Sequence, residues 1–314
     1  MKNIITLAIV LTIAIVGSKF YNNESSQIDN IVKDIETKNN KKIIVAIMNS
    51  NTGKIVYINR EKEAIQYEFE PKSIMIPIVT AIAIENNKIT QTKLLPAHNF
   101  TKKDANGFYK KGKLKIGIWT IKDEVQFKKH YLSIKDIVTN RSYIGIAQLS
   151  NKLNAKEFLE GFYNFGFNTK TSIDLENENI GQLPSYNQLR AGQLKNKPNI
   201  FKATASYGLG MKVTFMQLLK AYNVFNNNGE IITPYIKNKP DIKPIQIISK
   251  NNANTIKSYL QRNNETNINS GIYYRFFNVN NIKYTIGIVI INSEKMDNKL
   301  STSLYKDILK SFKS

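Results

Sequence analysis

The segment that most restricts the possible folds is Ile74–Glu85, whose sequence IMIPIVTAIAIE is apolar on nearly every side of a helix. Such a helix belongs in a protein interior, because it offers no polar face to water. It therefore requires a domain with several layers of structure around it. The hydrophobic share of 42% is enough for such a core, and the aromatic share of 10% excludes a mainly disordered chain.

Strand-like segments lie near both ends of the chain, and helical patterns lie between them. Lys42–Met48 and Lys54–Asn59 flank a turn-rich sequence and predict a β-hairpin, while Gly271–Phe277 and Lys283–Ile291 predict two late strands. This order predicts an α+β domain whose sheet is built from both ends of the chain around a mainly helical middle. The other helices are predicted at Gln27–Lys38, Ser133–Asn140, Gly145–Leu153, Ala155–Phe165, Thr214–Asn226, Asn252–Gln261 and Ser303–Phe312.

Composition excludes several kinds of site. Without cysteine, the chain has no disulfide framework, cysteine nucleophile or thiolate metal site, and its histidines, His98 and His130, lie too far apart in sequence to predict a metal site. The net charge of +21 favours anionic surroundings, although AT-rich codons also explain a high lysine content. The lysines are scattered and no nucleic-acid-binding motif occurs, so nucleic acid is not an expected partner.

Residues 1–21 are predicted to be a signal-anchor segment, because Lys2 precedes the apolar run Ile4–Val16. A weak cleavage sequence favours a single N-terminal span in the cytoplasmic membrane, with the domain on the periplasmic or extracytoplasmic side. Secretion after signal cleavage is the alternative. Residues 22–41 are then a tether and first helix, and residues 42–314 form one domain.

Several segments occur in an order and spacing that characterise one family. They are YEFEPKSIMIP at residues 67–77, NFGF at 164–167, TSIDL at 171–175, GQLP at 181–184 and ATASYGLG at 203–210. Together they resemble the transpeptidase domain of penicillin-binding proteins, in the high-molecular-weight class that works in elongation and division. The resemblance covers about residues 42–314.

The resemblance implies a penicillin-binding, serine transpeptidase-like (β-lactamase-like) fold and a place in peptidoglycan (cell wall) synthesis. It implies no cofactor and no metal. The expected partners are cell-wall synthesis or division proteins, peptidoglycan, and the membrane through the N-terminal segment.

The family forms an acyl-enzyme on serine with three motifs, Ser-x-x-Lys, Ser-x-Asn and Lys-Thr-Gly, and the first is altered here. Ser73 occupies the nucleophile position, but Ile76 stands where the general-base lysine is expected, and isoleucine cannot accept a proton. Lys72 is no evident substitute, because adjacent residues of a helix do not share a face. The alternative role for Ser73 is to cap the helix that follows.

The other two motifs are altered as well. Arg141 replaces the serine of the second motif and Tyr143 its asparagine, and an arginine cannot relay protons. The two side chains could fill the groove or bind a carboxylate, or could be a surface pair without a role. For the third motif, either Asn269, Ser270 and Gly271 replace Lys-Thr-Gly, or the motif strand is deleted. In both cases the lysine that binds a substrate carboxylate is missing.

Three altered motifs favour a catalytically degenerate protein, a pseudoenzyme that acts as a binding or scaffold protein. Loss of a positioned general base alone costs about 10²–10⁴ in rate. The alternative is an active serine D,D-transpeptidase or carboxypeptidase that is acylated at Ser73.

Overall fold

The computed structural model of the chain describes residues 25–90, 95–96, 104–107, 112–124, 126–191, 197–261, 271–292 and 298–312. The helices are α1 (25–39), α2 (Glu61–Gln66), α3 (Ile76–Glu85), α4 (Ile134–Asn140), α5 (Tyr143–Ser150), α6 (Ala155–Asn164), α7 (Tyr186–Arg190), α8 (Ile200–Ser206), α9 (Phe215–Asn226), α10 (Lys250–Gln261) and α11 (Asn298–Ser311). The strands are β1 (Lys42–Asn49), β2 (Ile55–Ile58), β3 (Glu68–Phe69), β4 (Leu95–Pro96), β5 (Lys113–Ile116), β6 (Trp119–Lys122), β7 (Tyr131–Leu132), β8 (Val213–Thr214), β9 (Glu230–Ile231), β10 (Ile245–Gln246), β11 (Ile272–Val279) and β12 (Ile282–Ile291).

The main sheet combines strands from both ends of the chain, in the order β11-β12-β1-β2. Strands β1 and β12 are antiparallel along the whole of β1, from Lys42 opposite Ile291 to Asn49 opposite Tyr284. Helices α3 to α10 come from the middle of the chain. The predicted α+β class, with a sheet completed late in the sequence, is confirmed.

Both faces of this sheet are covered, which explains why β1 is buried along most of its length. Successive side chains of a strand point to opposite faces. Ile43 and Val45 therefore pack in one cluster with Ile28 of α1 and Leu304 of α11. Ile44 and the other alternate residues join the larger cluster formed with the central helices.

Helix α3 lies in the interior of the helical layer, as its apolar sequence predicts. Every residue from Ile76 to Ile84 is buried, and α4, α5, α6 and α10 pack around it. The predicted helix begins differently, however, because a 3₁₀ turn, Lys72–Met75, precedes α3.

The expectation that Ser73 could cap this helix is wrong. Ser73 lies inside the 3₁₀ turn, and neither the turn nor α3 has a side-chain capping bond. Pro77 occupies the first turn of α3 and has no N–H group, so fewer donors need a cap there.

Side-chain caps set the starts of several other helices near the predicted positions. Ser133, Asn154 and Thr214 each form a reciprocal capping box, at the starts of α4, α6 and α9. Helix α5 begins earlier than predicted, at Tyr143 instead of Gly145, because the Ser142 hydroxyl accepts the N–H of Gly145.

A β-hairpin between α3 and α4 was not predicted from the sequence. Strands β5 and β6 pair antiparallel, with Ile116 opposite Trp119, and the turn between them consists of Gly117 and Ile118. The chain there reads GKLKIGIWTIK, in which apolar and polar residues alternate over a short stretch. Two short strands whose outward residues are lysines give a weak strand signal, because lysine is depleted in strands.

Within the residues that the structure describes, no helix is both long enough and apolar enough to cross a membrane. The predicted signal-anchor segment, residues 1–21, lies outside the described residues. Its role stays a prediction.

Candidate active site

The turn that carries Ser73 is held from two sides. On one side, the backbone N–H of Lys72 donates to the carbonyl oxygen of Gly208 at 3.2 Å. On the other, the hydroxyl of Tyr222, on α9, donates to the carbonyl oxygen of Ile74 at 2.7 Å. Ser73 itself is only 2% exposed. The nucleophile position is thus fixed by the backbone of the turn and shielded from water.

Arg141 lies directly against Ser73. It ends α4 in the left-handed conformation, at φ 53°, and its Nη1 donates a hydrogen bond to Ser73 Oγ at 3.0 Å. The side chain is 8% exposed, so the alternative of a surface pair without a role is wrong for this residue. A buried guanidinium occupies the position that the second motif gives to serine.

The charge of Arg141 is compensated in part by the nearby carboxylate of Glu124. Among the described residues, no ion pair joins it to a carboxylate. Burial lowers the pKa of Arg141, the nearby Tyr222 acts against this shift, and Arg275 acts with it. All guanidinium nitrogens donate hydrogen bonds, so Arg141 can stabilise negative charge on Ser73 Oγ but cannot accept its proton.

Tyr143, the other altered residue of the second motif, also faces this site. Its hydroxyl donates to Glu124 Oε1 at 3.0 Å, and its ring stacks on Tyr207, with 4.7 Å between ring centres. Burial raises the pKa of Tyr143, and the negative charge of Glu124 raises this pKa further. The nearby Ser73 hydroxyl and the positive charge of Arg141 lower it. The phenol therefore stays neutral at physiological pH.

No general base replaces the missing lysine along α3. Ile76 follows Ser73 by one turn and is fully buried among apolar side chains. Lys72 has a positive φ of 53° and lines a cavity of about 330 Å³ together with Glu70, Lys212 and Gly271, but Ser73 does not line that cavity. Among the described residues, the polar side chains identified near Ser73 are the neutral phenol of Tyr143 and the guanidinium of Arg141.

The third motif is described only at its last residue. Gly271 lines the same cavity as Lys72 and precedes β11, which is one of the two edge strands of the described part of the main sheet. Asn269 and Ser270 lie outside the described residues, so the choice between a substituted and a deleted motif strand stays open.

Asp123 supports the site, although the sequence analysis did not identify it. It follows β6, and its carboxylate accepts hydrogen bonds from the Ser142 hydroxyl at 2.9 Å and from the N–H of Ile144 at 3.1 Å. These contacts fix the start of α5 and hence the position of Tyr143. Burial raises the pKa of Asp123 to about 6, although both hydrogen bonds act in the opposite direction. A buried acid at a helix start has no sequence signal until its burial is known.

The raised pKa of Asp123 predicts a pH dependence of stability. Because the folded-state pKa of about 6 exceeds the ordinary value of 3.8, the folded protein holds this proton more tightly. The resulting stabilisation is fully present at pH values below the ordinary pKa of 3.8 and is lost as the pH rises through about 6. In urea titrations from acidic to neutral pH, the stability advantage of wild type over Asp123→Asn is expected to shrink by about 1–3 kcal/mol.

Asp174→Asn is the matched control, because this exposed carboxylate accepts the backbone N–H groups of Lys237 and Asn238 at 2.7 and 2.8 Å. Its pKa is lowered: burial would raise it, but these hydrogen bonds outweigh burial. The advantage of wild type over this variant is expected to grow as pH rises through the acidic range. Equal slopes for the two variants would contradict the assignment of Asp123.

The sequence of the chain is similar to a known protein family over most of its length. The model of the penicillin-binding protein transpeptidase domain matches residues 43–287 of the chain. Curated proteins similar to the chain include the peptidoglycan D,D-transpeptidase FtsI of Buchnera aphidicola, 27% identical over 192 residues that cover 59% of this chain and 30% of that protein. Stage V sporulation protein D of Bacillus subtilis is 26% identical over 206 residues, covering 62% of this chain and 29% of that protein. The matched part of the chain thus spans less than a third of the length of these relatives.

Solved structures share the fold at lower identity. A peptidoglycan glycosyltransferase structure from Burkholderia ambifaria has a TM-score of 0.73 and 17% identity, covering 91% of this chain and 93% of that chain. The apo TP domain of penicillin-binding protein 3 from Burkholderia pseudomallei has a TM-score of 0.70 and 16% identity, covering 93% and 95%. These matches extend over nearly the whole of both chains and support the same fold.

Proposed function

This chain belongs to the penicillin-binding protein transpeptidase family. We propose that it acts in peptidoglycan synthesis as a binding or scaffold protein that does not turn over substrate at Ser73. The observation that carries the proposal is the contact of Arg141 Nη1 with the buried Ser73 Oγ. The hydroxyl is engaged by a group that cannot accept a proton, where the mechanism needs a base.

The proposal includes a location and a class of partner. Residues 4–21 would hold the domain at the outer face of the cytoplasmic membrane, as their apolar sequence suggests. Peptidoglycan and proteins of cell-wall synthesis or division would be its partners. The positive charge of the chain suits binding to a carboxylate-rich wall polymer.

One observation favours the alternative function, an active serine transpeptidase or carboxypeptidase. The Tyr143 hydroxyl donates to the Glu124 carboxylate at 3.0 Å, and Ser73 lies near enough to the same phenol to affect its pKa. A proton could pass from Ser73 through the phenol only if Tyr143 gave up its own proton in the same step. The raised pKa of Tyr143 makes the phenolate scarce, so the proton would have to end on a carboxylate, which is a weaker base than a lysine amine.

Two measurements on the full chain test the proposal: cleavage of a stem-peptide substrate, and co-sedimentation with purified peptidoglycan sacculi. We expect no cleavage above the rate without protein, and equal binding of wild type and Ser73→Ala. Sedimentation at high salt controls for nonspecific attraction of the cationic chain. Cleavage that Ser73→Ala abolishes would establish the alternative, and the absence of salt-resistant binding would exclude the binding role.

A further inference from the structure

The tip of the β5–β6 hairpin is the most exposed apolar feature among the described residues. Ile118, in the turn, is 94% exposed, and its neighbour Trp119 is 59% exposed. Single exposed apolar side chains are normal on protein surfaces. Here, however, an aliphatic and an indole side chain are adjacent at the end of a projecting turn.

The turn is built to present these side chains. Pairing of Ile116 with Trp119 leaves Gly117 and Ile118 as a two-residue loop, and Gly117 adopts a φ of +60°, as tight hairpin turns require. A Cβ atom at Gly117 would meet no other atom within 4 Å, so nothing among the described residues packs over it. The loop therefore projects from the protein.

The stem of the hairpin is held firmly. Ile116 and Ile121 are each 5% exposed, and β6 packs against α5. The residue after β6, Asp123, is bonded to Ser142 and Ile144 at the start of that helix. A rigid stem with an apolar tip is suited to insertion, because little conformational freedom is lost on binding.

Exposed lysines line one face of the hairpin behind the apolar tip. Lys113, Lys115 and Lys122 are exposed, and strand pairing places Lys113 opposite Lys122 and Lys115 opposite Thr120, on the face away from Ile116 and Trp119. Residues 112–122 contain no acidic residue. An occupant of this surface must therefore accept an apolar tip while offering negative charge beside it.

We propose that the tip of the β5–β6 hairpin docks on an anionic lipid surface, with Ile118 and Trp119 entering the interfacial region and the three lysines facing the headgroups. Tryptophan favours the membrane–water interface, and lysines near an anionic leaflet are attracted to it. A second copy of the chain fits less well, because the same lysines would repel each other. This contact is independent of residues 4–21 and of the proposed function in peptidoglycan synthesis.

The chain contains a single tryptophan, so its fluorescence reports on this hairpin alone. The full chain is mixed with vesicles of phosphatidylcholine or of an equal mixture with phosphatidylglycerol, and brominated lipids serve as quenchers. Anionic vesicles are expected to shift Trp119 emission to the blue and to permit quenching. Because anchoring through residues 4–21 would bring the domain to both kinds of vesicle, the signal of the hairpin is the excess in anionic over neutral vesicles.

Three variants sharpen the test. Ile118→Asp, at an exposed position that leaves the fold intact, is expected to abolish quenching, while the matched control Ile245→Asp, at a site 61% exposed in β10, is expected to retain it. Lys113→Gln together with Lys115→Gln is expected to weaken binding to anionic vesicles by about fivefold for each lysine replaced. Unchanged emission, equal quenching in neutral and anionic vesicles, or equal effects of Ile118→Asp and Ile245→Asp would overturn the proposal.

Discussion

Intact-mass spectrometry of the full chain after prolonged exposure to penicillin is expected to show no covalent adduct. Acylation requires the proton of Ser73 to leave as the oxygen attacks. Ile76 cannot take it, Arg141 can only donate to Ser73 Oγ, and the pKa of Tyr143 is raised. Since a missing base alone slows such a step by about 10²–10⁴, the combined defects are expected to leave no adduct on the time scale of the experiment.

Restoring one residue is not expected to restore labelling. Ile76→Lys supplies an amine, but Arg141 still engages the hydroxyl, and catalytic groups that act as a unit fail together. The new lysine would also enter a fully buried position, so circular dichroism must show that this variant folds. A family member with all three motifs intact serves as the positive control for labelling.

A mass shift that disappears in Ser73→Ala would overturn the pseudoenzyme proposal. In that case the relay through Tyr143 and Glu124 becomes the mechanism to test, and Tyr143→Phe and Glu124→Gln are expected to abolish the adduct. Both replacements keep the size of the side chain while removing the hydroxyl or the charge. If the adduct forms without these groups, another base acts on Ser73.

The sequence predicted the fold because long apolar segments have few possible positions. Ile74–Glu85 must be buried whatever surrounds it, and a strand as uniformly apolar as β1 must be covered on both faces. Pairing of β1 with β12 follows from the need of these two segments for sheet partners. The β5–β6 hairpin was not predicted, because its strands are short and their outward residues are lysines, which are uncommon in strands.

The site was predicted only as a set of positions. Spacing identified Ser73, Ile76, Arg141 and Tyr143, but it did not predict that the guanidinium would lie on the serine hydroxyl. That contact depends on the left-handed turn at Arg141 and on the 3₁₀ turn at Ser73, neither of which has a clear sequence signal. Asp123 was missed for a related reason, because its role comes from burial against a helix that begins about twenty residues later in the sequence.

The residues that hold the turn lie in family-like sequence, whereas the residues that would do chemistry in it depart from the family motifs. Gly208 belongs to a segment that resembles the family, Tyr222 lies within the part of the chain that the family model matches, and both contact the backbone of the Ser73 turn. The altered positions, by contrast, are those of proton transfer and carboxylate binding. This pattern is expected if the shape of the groove is used for binding.

Gly208→Ala is expected to destabilise the protein severely, because two costs combine at this position. Gly208 has a φ of +79°, and a Cβ atom there would lie 2.3 Å from the carbonyl oxygen and 2.4 Å from the nitrogen of Lys72. A left-handed non-glycine residue costs about 1–2 kcal/mol, and forced overpacking typically adds about 1–3 kcal/mol. Urea unfolding is therefore expected to show a loss of about 2–5 kcal/mol.

Gly210→Ala separates the two costs. Gly210 has nearly the same φ, +72°, but no atom lies within 4 Å of its added Cβ, so only the backbone cost of about 1–2 kcal/mol applies. The difference between the two variants then measures the contact with Lys72, which fixes the position of Ser73. If both variants lose the same stability, close packing of Gly208 on the Lys72 backbone does not hold the turn, and the hydrogen bonds from Lys72 N–H to Gly208 and from Tyr222 to Ile74 position the site instead.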